Sequence, residues 1–341
     1  MTLNEAISEL VEGRPLSREA ARDAMRVIMA GEATPAQIGA YLVALRIRGE
    51  SPEVIAGSAE AMREKFTPVP TPPDAVVVDT CGTGGDGSGT FNISTAVALV
   101  AAGAGLVVAK HGNRGVSSRS GSADVLAALG VNTAASPEGM AACLAECGIA
   151  FLFAPALHPA MKHAIGPRRE LGLRTVFNIL GPLCNPAGAR RGLLGVYAAD
   201  LVPVIARAAL DLGAEHLFVV HGLDGLDEIS LGAPTRVAEV RDGRIREFET
   251  SPEEVGLARC APEALAGGSP EENADLIREL LAGRRPGPPE DIVALNAAAV
   301  LVAGGLAPDL RAGIGQARQV IADGGALRKL EALVACSHAP A

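Results

Sequence analysis

The chain has 341 residues, 48% hydrophobic and 20% charged, enough for one large or two medium domains with ample core, and the composition of a soluble globular protein. Its net charge of −9, with only four lysines, disfavours a general binder of nucleic acid or anionic membrane, since both reward a positive surface. Met1-Thr2-Leu3-Asn4-Glu5 lacks the basic and apolar regions of a signal peptide, and no apolar run would span a bilayer unbroken by glycine or charge, so a soluble, cytoplasmic protein is expected.

Residues 1–66 read as helices throughout. Thr34-Pro35-Ala36-Gln37 is a capping box with proline at the first helical position, and Ser51-Pro52-Glu53 repeats that start. Ile38, Tyr41, Leu42 and Leu45 follow at helical spacing and make one apolar face that must be buried against something. Residues 67–74 then carry four prolines, which forbid both helix and ladder pairing; this is a stiff connector, and the expected boundary lies there.

An alternating α/β region starts at Val76. A β-branched run, Val76 to Val78, ends at Asp79 and gives way to a loop with six glycines or serines. Asn92-Ile93-Ser94-Thr95 opens an apolar helix ending at Gly103. A second strand, Leu106 to Ala109, delivers Lys110-His111-Gly112-Asn113-Arg114 at its carboxyl end, and the polar run Ser117 to Ser122 precedes another helix. Cys143 and Cys147, four apart on a helix, could suit a metal, but no second pair or nearby histidine completes a site; buried thiols in a reducing cytosol are expected. Ile149 to Phe153 is a further strand, and residues 160–180 turn helical and include Arg168, Arg169 and Arg174. Strands at Leu193–Tyr197 and Leu217–Val220 flank a helix from about Pro203 to Leu212. Asp242-Gly243 joins Arg236–Val240 to Ile245–Thr250 as a hairpin. The remainder is helical, with Asp291 to Val302 apolar all round and therefore buried. The fold class is α/β: a mostly parallel sheet flanked by helices, beside a small all-helical domain.

The stretch from Val76 to Gly130 has the chemistry of a phosphate cradle. Glycine lets backbone N–H groups approach an anion closely, hydroxyls at a helix start add donors beside its positive end, and Lys110, Arg114 and Arg119 bring charge. Gly82 to Gly87 matches the G-x-G-x-x-G pattern for dinucleotides, but the helix starts about five residues late and the next strand ends in Lys110 rather than an acid. The Gly-Lys-Ser/Thr of a P-loop is absent, and a mobile linker seldom sits between two buried strands. Asp86 is either an anion-site residue or a turn former bonding its own loop. Asp227-Glu228, in a glycine-punctuated loop after a strand, would by itself be a solvated acidic pair.

The motifs GTGGDGxxTFNIST and KHGNRxVSSxSGSADVLxALG resemble the anthranilate phosphoribosyltransferase family, as do HPAMKH from His158, RRELGLRTVFNILGPLCNPA from Arg168, HGLDGLDEIS from His221 and ENADLIRELLAG from Glu271. The resemblance implies transfer of a 5-phosphoribosyl group from its 1-diphosphate to the amine of anthranilate, in tryptophan biosynthesis. It assigns sugar-diphosphate contacts to Gly82, Gly85, Asp86, Thr90, Asn92, Ile93, Ser94 and Thr95, to Lys110, His111, Gly112, Asn113, Arg114, Gly115, Val116, Ser117 and Ser118, and to Ser122. Mg²⁺, two ions per subunit, falls to Ser94, Asp227 and Glu228, with Asp224 a weaker candidate behind them. The acceptor falls to Gly82, Asn113, Arg168, His111, His158, Met161 and Pro182, with Arg168 taking the carboxylate; Arg169 and Arg174 are expected to be structural ion-pair partners.

The resemblance further implies that residues 160–188 return to the helical domain, leaving 75–159 and 189–341 as the large α/β domain, and that a homodimer forms through the helical domains. Catalysis would be electrostatic and by positioning, with Lys110, Arg168 and His111 as candidates. His111 or His158 could be a general base or simply a satisfied structural histidine. An aryl amine needs no strong base, so an oxocarbenium-like transition state with inversion at C1 is expected, with the domains closing to exclude water. Gly115 and Cys184 depart from the family pattern without touching a needed charge. Two relatives of this fold are the rivals: a pyrimidine nucleoside phosphorylase, in which the acidic pair would be idle, and a non-catalytic nucleic-acid binder, which should be basic.

Overall fold

Four helices open the chain, and each is started by a hydroxyl side chain. The computed structural model describes residues 1–115 and 119–339. Thr2, Ser17, Thr34 and Ser51 cap α1 (Leu3–Val11), α2 (Arg18–Ala30), α3 (Pro35–Arg48) and α4 (Pro52–Arg63), each accepting a backbone N–H from the first turn. The Thr34–Gln37 capping box forms, as its spacing predicts. The apolar face of α3 is buried through Ile38, Tyr41, Leu42 and Leu45, in one cluster with Met25, Ile28 and Ile55. The proline-rich stretch after α4 does not float: the Thr67 N–H donates to the Leu157 carbonyl (2.8 Å), and the Val69 N–H to that of Pro186 (3.0 Å).

The remaining elements follow as β1 (Val77–Asp79), α5 (Ile93–Gly103), β2 (Val107–Gly112), α6 (Ser122–Ala128), α7 (Pro137–Glu146) and β3 (Ile149–Phe153). Next come α8 (Ala154–Leu157), α9 (Lys162–Leu171), α10 (Phe177–Leu180), β4 (Arg191–Gly195), α11 (Leu201–Asp211) and β5 (His216–Gly222). The chain closes with β6 (Thr235–Arg241), β7 (Arg244–Thr250), α12 (Pro270–Leu281), α13 (Pro288–Ala303), α14 (Leu310–Ala322) and α15 (Gly325–His338). The seven strands make one sheet in the order β3-β2-β1-β4-β5-β6-β7. The first five in that order run parallel; β6 and β7 are antiparallel, joined by the expected hairpin with Asp242 and Gly243 at positive φ. The chain builds outward from β1 in one direction, then returns to its other side with β4. A crevice therefore opens at the carboxyl ends of β1 and β4, where such sheets bind ligands.

Both sheet faces are covered, and the strand period of two sorts the side chains. Phe218, Val220 and Val237 face the cluster built from α5, α7, α13 and α14, while Val219, Ala238 and Val240 face the cluster shared by α11 and the opening helices. Ala164, Val176, Phe177, Leu180 and Leu183 join that second cluster. Helix α13 is buried nearly throughout, from Ile292 to Ala303. Among the described residues, no helix is long and apolar enough to cross a membrane.

Three strands differ from their expected bounds by two residues or more; one is β5, which runs on to Gly222 because pairing with β6 continues through His221–Arg236 and Gly222–Thr235. β2 runs on to Gly112, because parallel pairing with β3 continues through Lys110–Phe151 and His111–Leu152; both polar residues thus sit in the sheet rather than in the loop beyond it. β4 starts two residues earlier than expected, because Arg191 and Gly192 pair with β1, and by Tyr197 the chain has turned into the glycine loop. Cys143 and Cys147 are buried thiols, the Cys147 thiol donating to the Cys143 carbonyl at 3.1 Å.

Candidate active site

Asp79, at the end of β1, anchors the crevice from below. Its Oδ1 accepts the backbone N–H groups of Thr80 (2.7 Å) and His111 (3.1 Å), and its Oδ2 accepts the Asn185 amide (2.7 Å). That amide also donates to the Ala109 carbonyl at 2.8 Å, so one carboxylate ties together the ends of β1, β2 and the 185 turn. Burial raises its pKa to about 6, against the pull of Lys110. Sequence reasoning missed Asp79 and Asn185; an acid closing a buried strand just before a glycine loop was the available signal. Asp79, Cys81 and His111 bring ligand-type atoms within 4.8 Å of one another. The Asp79 carboxylate and both His111 ring nitrogens are nevertheless already hydrogen-bonded within the protein, which makes this trio a brace.

Above it, Lys110 is buried and spends its ammonium on the Thr80 carbonyl (3.2 Å), the Thr80 hydroxyl (3.3 Å) and Ser94 Oγ (3.2 Å). Its charge therefore stands at the amino end of α5. The glycine loop arches over this point with Gly84, Gly85, Gly87 and Gly89 all at positive φ, a backbone that L side chains resist. It is held by the Thr83 N–H on the Gly195 carbonyl (2.8 Å) and the Gly84 N–H on Asp227 Oδ2 (2.9 Å). Asp86 braces its own turn: its Oδ1 accepts the Ser88 N–H at 3.2 Å, while its Oδ2 faces the Asp227 N–H at 3.5 Å.

Asp227 and Glu228 face this loop from the far side of the crevice. The approach is close. A Cβ on Gly82 would stand 2.8 Å from Asp227 Oδ2, and one on Gly195 only 1.6 Å from the Asp227 carbonyl oxygen. Burial, then the neighbouring Asp86 charge, raises the Asp227 carboxyl to about 7. Burial and Asp227 raise Glu228 well above its usual range, opposed by Lys110 and a hydrogen bond from the Ser94 backbone. Three interacting carboxyls faced by one ammonium are costly to bury unless protons or a cation intervene. Hard oxygens with surplus negative charge, beside the Ser94 hydroxyl, fit Mg²⁺. Asp224 stands apart, bonded by the Ser230 hydroxyl (2.6 Å) as a local brace rather than as support for the pair.

Several candidates are engaged within the protein. Asn92 donates to the Ser120 carbonyl (3.0 Å) and accepts from the Ser120 hydroxyl and the Asn273 amide. The Ser122 hydroxyl holds the Asn113 carbonyl at 3.2 Å, and Asn113 Oδ1 accepts the Arg114 N–H at 2.8 Å. Asp124 Oδ2 accepts the N–H groups of Gly115 and Gly121, both at 2.9 Å. Arg114 lies over Phe153. Thr90 bridges to Ala266, Ile93 is in the core, and the buried Thr95 hydroxyl has no partner among the described residues. Val116, Ser117 and Ser118 lie outside the described residues.

On α9, the Arg168 guanidinium sits 5.1 Å over the Phe177 ring, its pKa lowered by burial, and it makes no ion pair among the described residues. A half-buried, unpaired guanidinium is poised for a carboxylate. Arg174 departs from expectation: among the described residues it pairs with no acid but bonds the Gly85 carbonyl and stacks 4.3 Å over Tyr197, so it clips the glycine loop to the segment that follows β4. Arg169 likewise has no ion pair among the described residues, being exposed on the outer side of α9. His111 and His158 are buried with their Nε2 atoms 3.2 Å apart; Met161 and Pro182 are half-buried beside them.

A model of the glycosyl transferase family a/b domain matches residues 74–327, and one of that family's helical bundle domain matches residues 4–66. The chain is 54% identical over 339 residues to an anthranilate phosphoribosyltransferase of Anaeromyxobacter dehalogenans, covering 99% of this chain and 100% of that one. It belongs to the anthranilate phosphoribosyltransferase family. Among solved members of that family, the Thermus thermophilus protein superposes with a TM-score of 0.93 at 49% identity, covering 98% of this chain and 99% of that one. The Saccharomyces cerevisiae protein, in complex with PRPP and Mg, superposes with a TM-score of 0.90 at 30% identity, covering 98% of this chain and 97% of that one.

Proposed function

We infer that the chain transfers the 5-phosphoribosyl group from phosphoribosyl diphosphate to the amine of anthranilate, releasing diphosphate and making N-(5-phosphoribosyl)anthranilate for tryptophan biosynthesis. One observation carries this reading: the glycine loop and the Asp227-Glu228 pair meet at the crevice of the sheet's switch point, where buried carboxyls and backbone N–H groups suit a metal-bound diphosphate.

Ser94, Asp227 and Glu228 would hold Mg²⁺, two ions per subunit, with Asp86 supplying further negative charge. Bound there, Mg²⁺ would neutralise the departing diphosphate. The glycine-loop N–H groups and the start of α5 cradle the phosphates, and Lys110 adds its positive field from below. Arg168 takes the acceptor carboxylate and so fixes the amine on the face away from the leaving group. Its ring neighbour Phe177 keeps the guanidinium flat and partly dry.

The chain divides at the proline-rich connector, with residues of about 160–188 joining the helical part; the packing of α9 on α2 and α3 supports that division. Exposed Val11 and Ile47, on α1 and α3, support a homodimer through the helical part. Six free cysteines support residence in a reducing cytoplasm. Loss of anthranilate fluorescence on adding phosphoribosyl diphosphate and Mg²⁺, abolished by EDTA, tests the reaction. A folded protein that leaves the fluorescence unchanged would refute it. A nucleoside phosphorylase would leave Asp227, Glu228 and Arg168 without a partner in its substrate.

A further inference from the structure

His111 and His158 are in contact: their Nε2 atoms lie 3.2 Å apart, and His111 Nδ1 lies 3.2 Å from the Gly181 carbonyl oxygen. A carbonyl oxygen only accepts, so His111 Nδ1 carries the proton. A neutral imidazole protonated at Nδ1 has a bare Nε2, which must accept. His158 Nε2 is therefore the donor, and its own Nδ1 is bare. Both rings are buried, and burial lowers both pKa values, to about 3 for His111 and about 4 for His158, which keeps the pair neutral. Donation runs one way, from His158 to His111 to Gly181.

The ends of this relay adjoin Met161 and Pro182, which the family resemblance assigns to the acceptor. The His158 carbonyl accepts the Met161 N–H at 3.0 Å, and Gly181 is followed directly by Pro182. Its middle is fixed to the sheet, because the His111 N–H is bonded to the Asp79 carboxylate. Phe66 meets His158 edge-on at 6.0 Å, leaving its ring little freedom to turn.

We propose that His158 is a positioning residue for the acceptor: by donating to His111 it selects the Nδ1–H tautomer of that ring, which holds the Gly181-Pro182 turn at a set distance from β2. This rests on the function proposed above. It also removes His111 as a general base, since the lone pair that would take the amine proton is filled by the His158 N–H. The proton of the reacting amine leaves by another route, such as water or the departing diphosphate.

The tautomer is read directly. The chain has six histidines, so ¹⁵N-labelled side-chain spectra are tractable, and the His111 signals are assigned by their loss in His111→Asn. In the wild-type protein, His111 should show a protonated Nδ1 and a bare Nε2 from pH 6 to 8; a protonated Nε2 would overturn the proposal. That result needs no turnover, so it stands apart from failure of the proposed reaction.

Kinetics supply the second arm. His158→Leu should raise the anthranilate KM about tenfold, the scale of one lost hydrogen bond, and leave the KM for the sugar diphosphate within about twofold. His158→Gln, whose amide can donate from nearly the same place, should recover most of the loss. Equal rises in both KM values, or a Gln variant no better than Leu, would reduce His158 to a packing residue. If His158→Leu does not fold, the Gln variant and the wild-type spectrum still decide the matter.

Discussion

Replacing Asp227 by Asn should stabilise the metal-free protein while abolishing its response to Mg²⁺. The variant keeps the local geometry, because its amide oxygen can accept the Gly84 N–H that Asp227 Oδ2 now accepts at 2.9 Å, and its NH₂ can face Asp86. What it removes is a carboxyl raised from 3.8 to about 7, which corresponds to at most about 4 kcal/mol. The sign follows from that direction. The folded-state pKa lies above the unfolded one, so the group costs nothing below about pH 4, costs progressively more up to about pH 7, and carries its full penalty above. Urea unfolding in EDTA should therefore find Asp227→Asn more stable than wild type by about 2–4 kcal/mol at pH 8, with the difference vanishing near pH 4. Adding Mg²⁺ should raise the stability of the wild type and leave the variant unmoved. Turnover should fall by a factor on the order of 100 or more, the scale of losing a fixed electrostatic partner. A variant that is less stable than wild type at pH 8 in EDTA, yet still gains from Mg²⁺, would refute the reasoning.

Arg168→Ala should raise the anthranilate KM about 10–100-fold, as expected for losing a charged bidentate contact, with little effect on the sugar diphosphate; equal effects on both would remove the acceptor assignment. Arg174→Ala should do the reverse, raising the sugar-diphosphate KM about tenfold, because the Gly85 carbonyl loses its clip; an unchanged KM would show the clip to be idle. Gly195→Ala puts a Cβ 1.6 Å from the Asp227 carbonyl oxygen, so the acid loop must shift; the expected result is a cost of about 3 kcal/mol or more and weakened Mg²⁺ dependence. Wild-type melting together with wild-type metal dependence would contradict that close approach.

Much of the fold was legible in local pattern. The caps at Thr34 and Ser51, the apolar stripe of α3, the all-apolar α13, the strand at Ile149–Phe153 and the Asp242-Gly243 hairpin all rest on side-chain period, capping and turn sterics, which act within a few residues. The glycine loop as a candidate anion site was legible for the same reason. Strand ends were less so: β2 overran its apolar stretch because pairing with β3 continues through Lys110 and His111 whatever their polarity.

The site divides along the same line. Residue types marked Lys110, Arg114 and Arg119 as anion-site candidates, because charge and donor capacity belong to the side chain itself; Asp227, Glu228 and Arg168 were marked only by the family resemblance. Only the tertiary structure decided which of those groups are spent on the protein. It engaged Asp86 in its own turn and Asn92 with Ser120, gave Arg174 to the glycine loop rather than to an acid, and left Arg168 without an ion pair among the described residues. It also revealed Asp79 beneath the crevice and joined His158, His111 and Gly181, which are far apart in the chain. A hydrogen bond or a charge interaction is settled over about 3–4 Å, and the order of strands in the sheet, not spacing along the chain, brings those atoms that close.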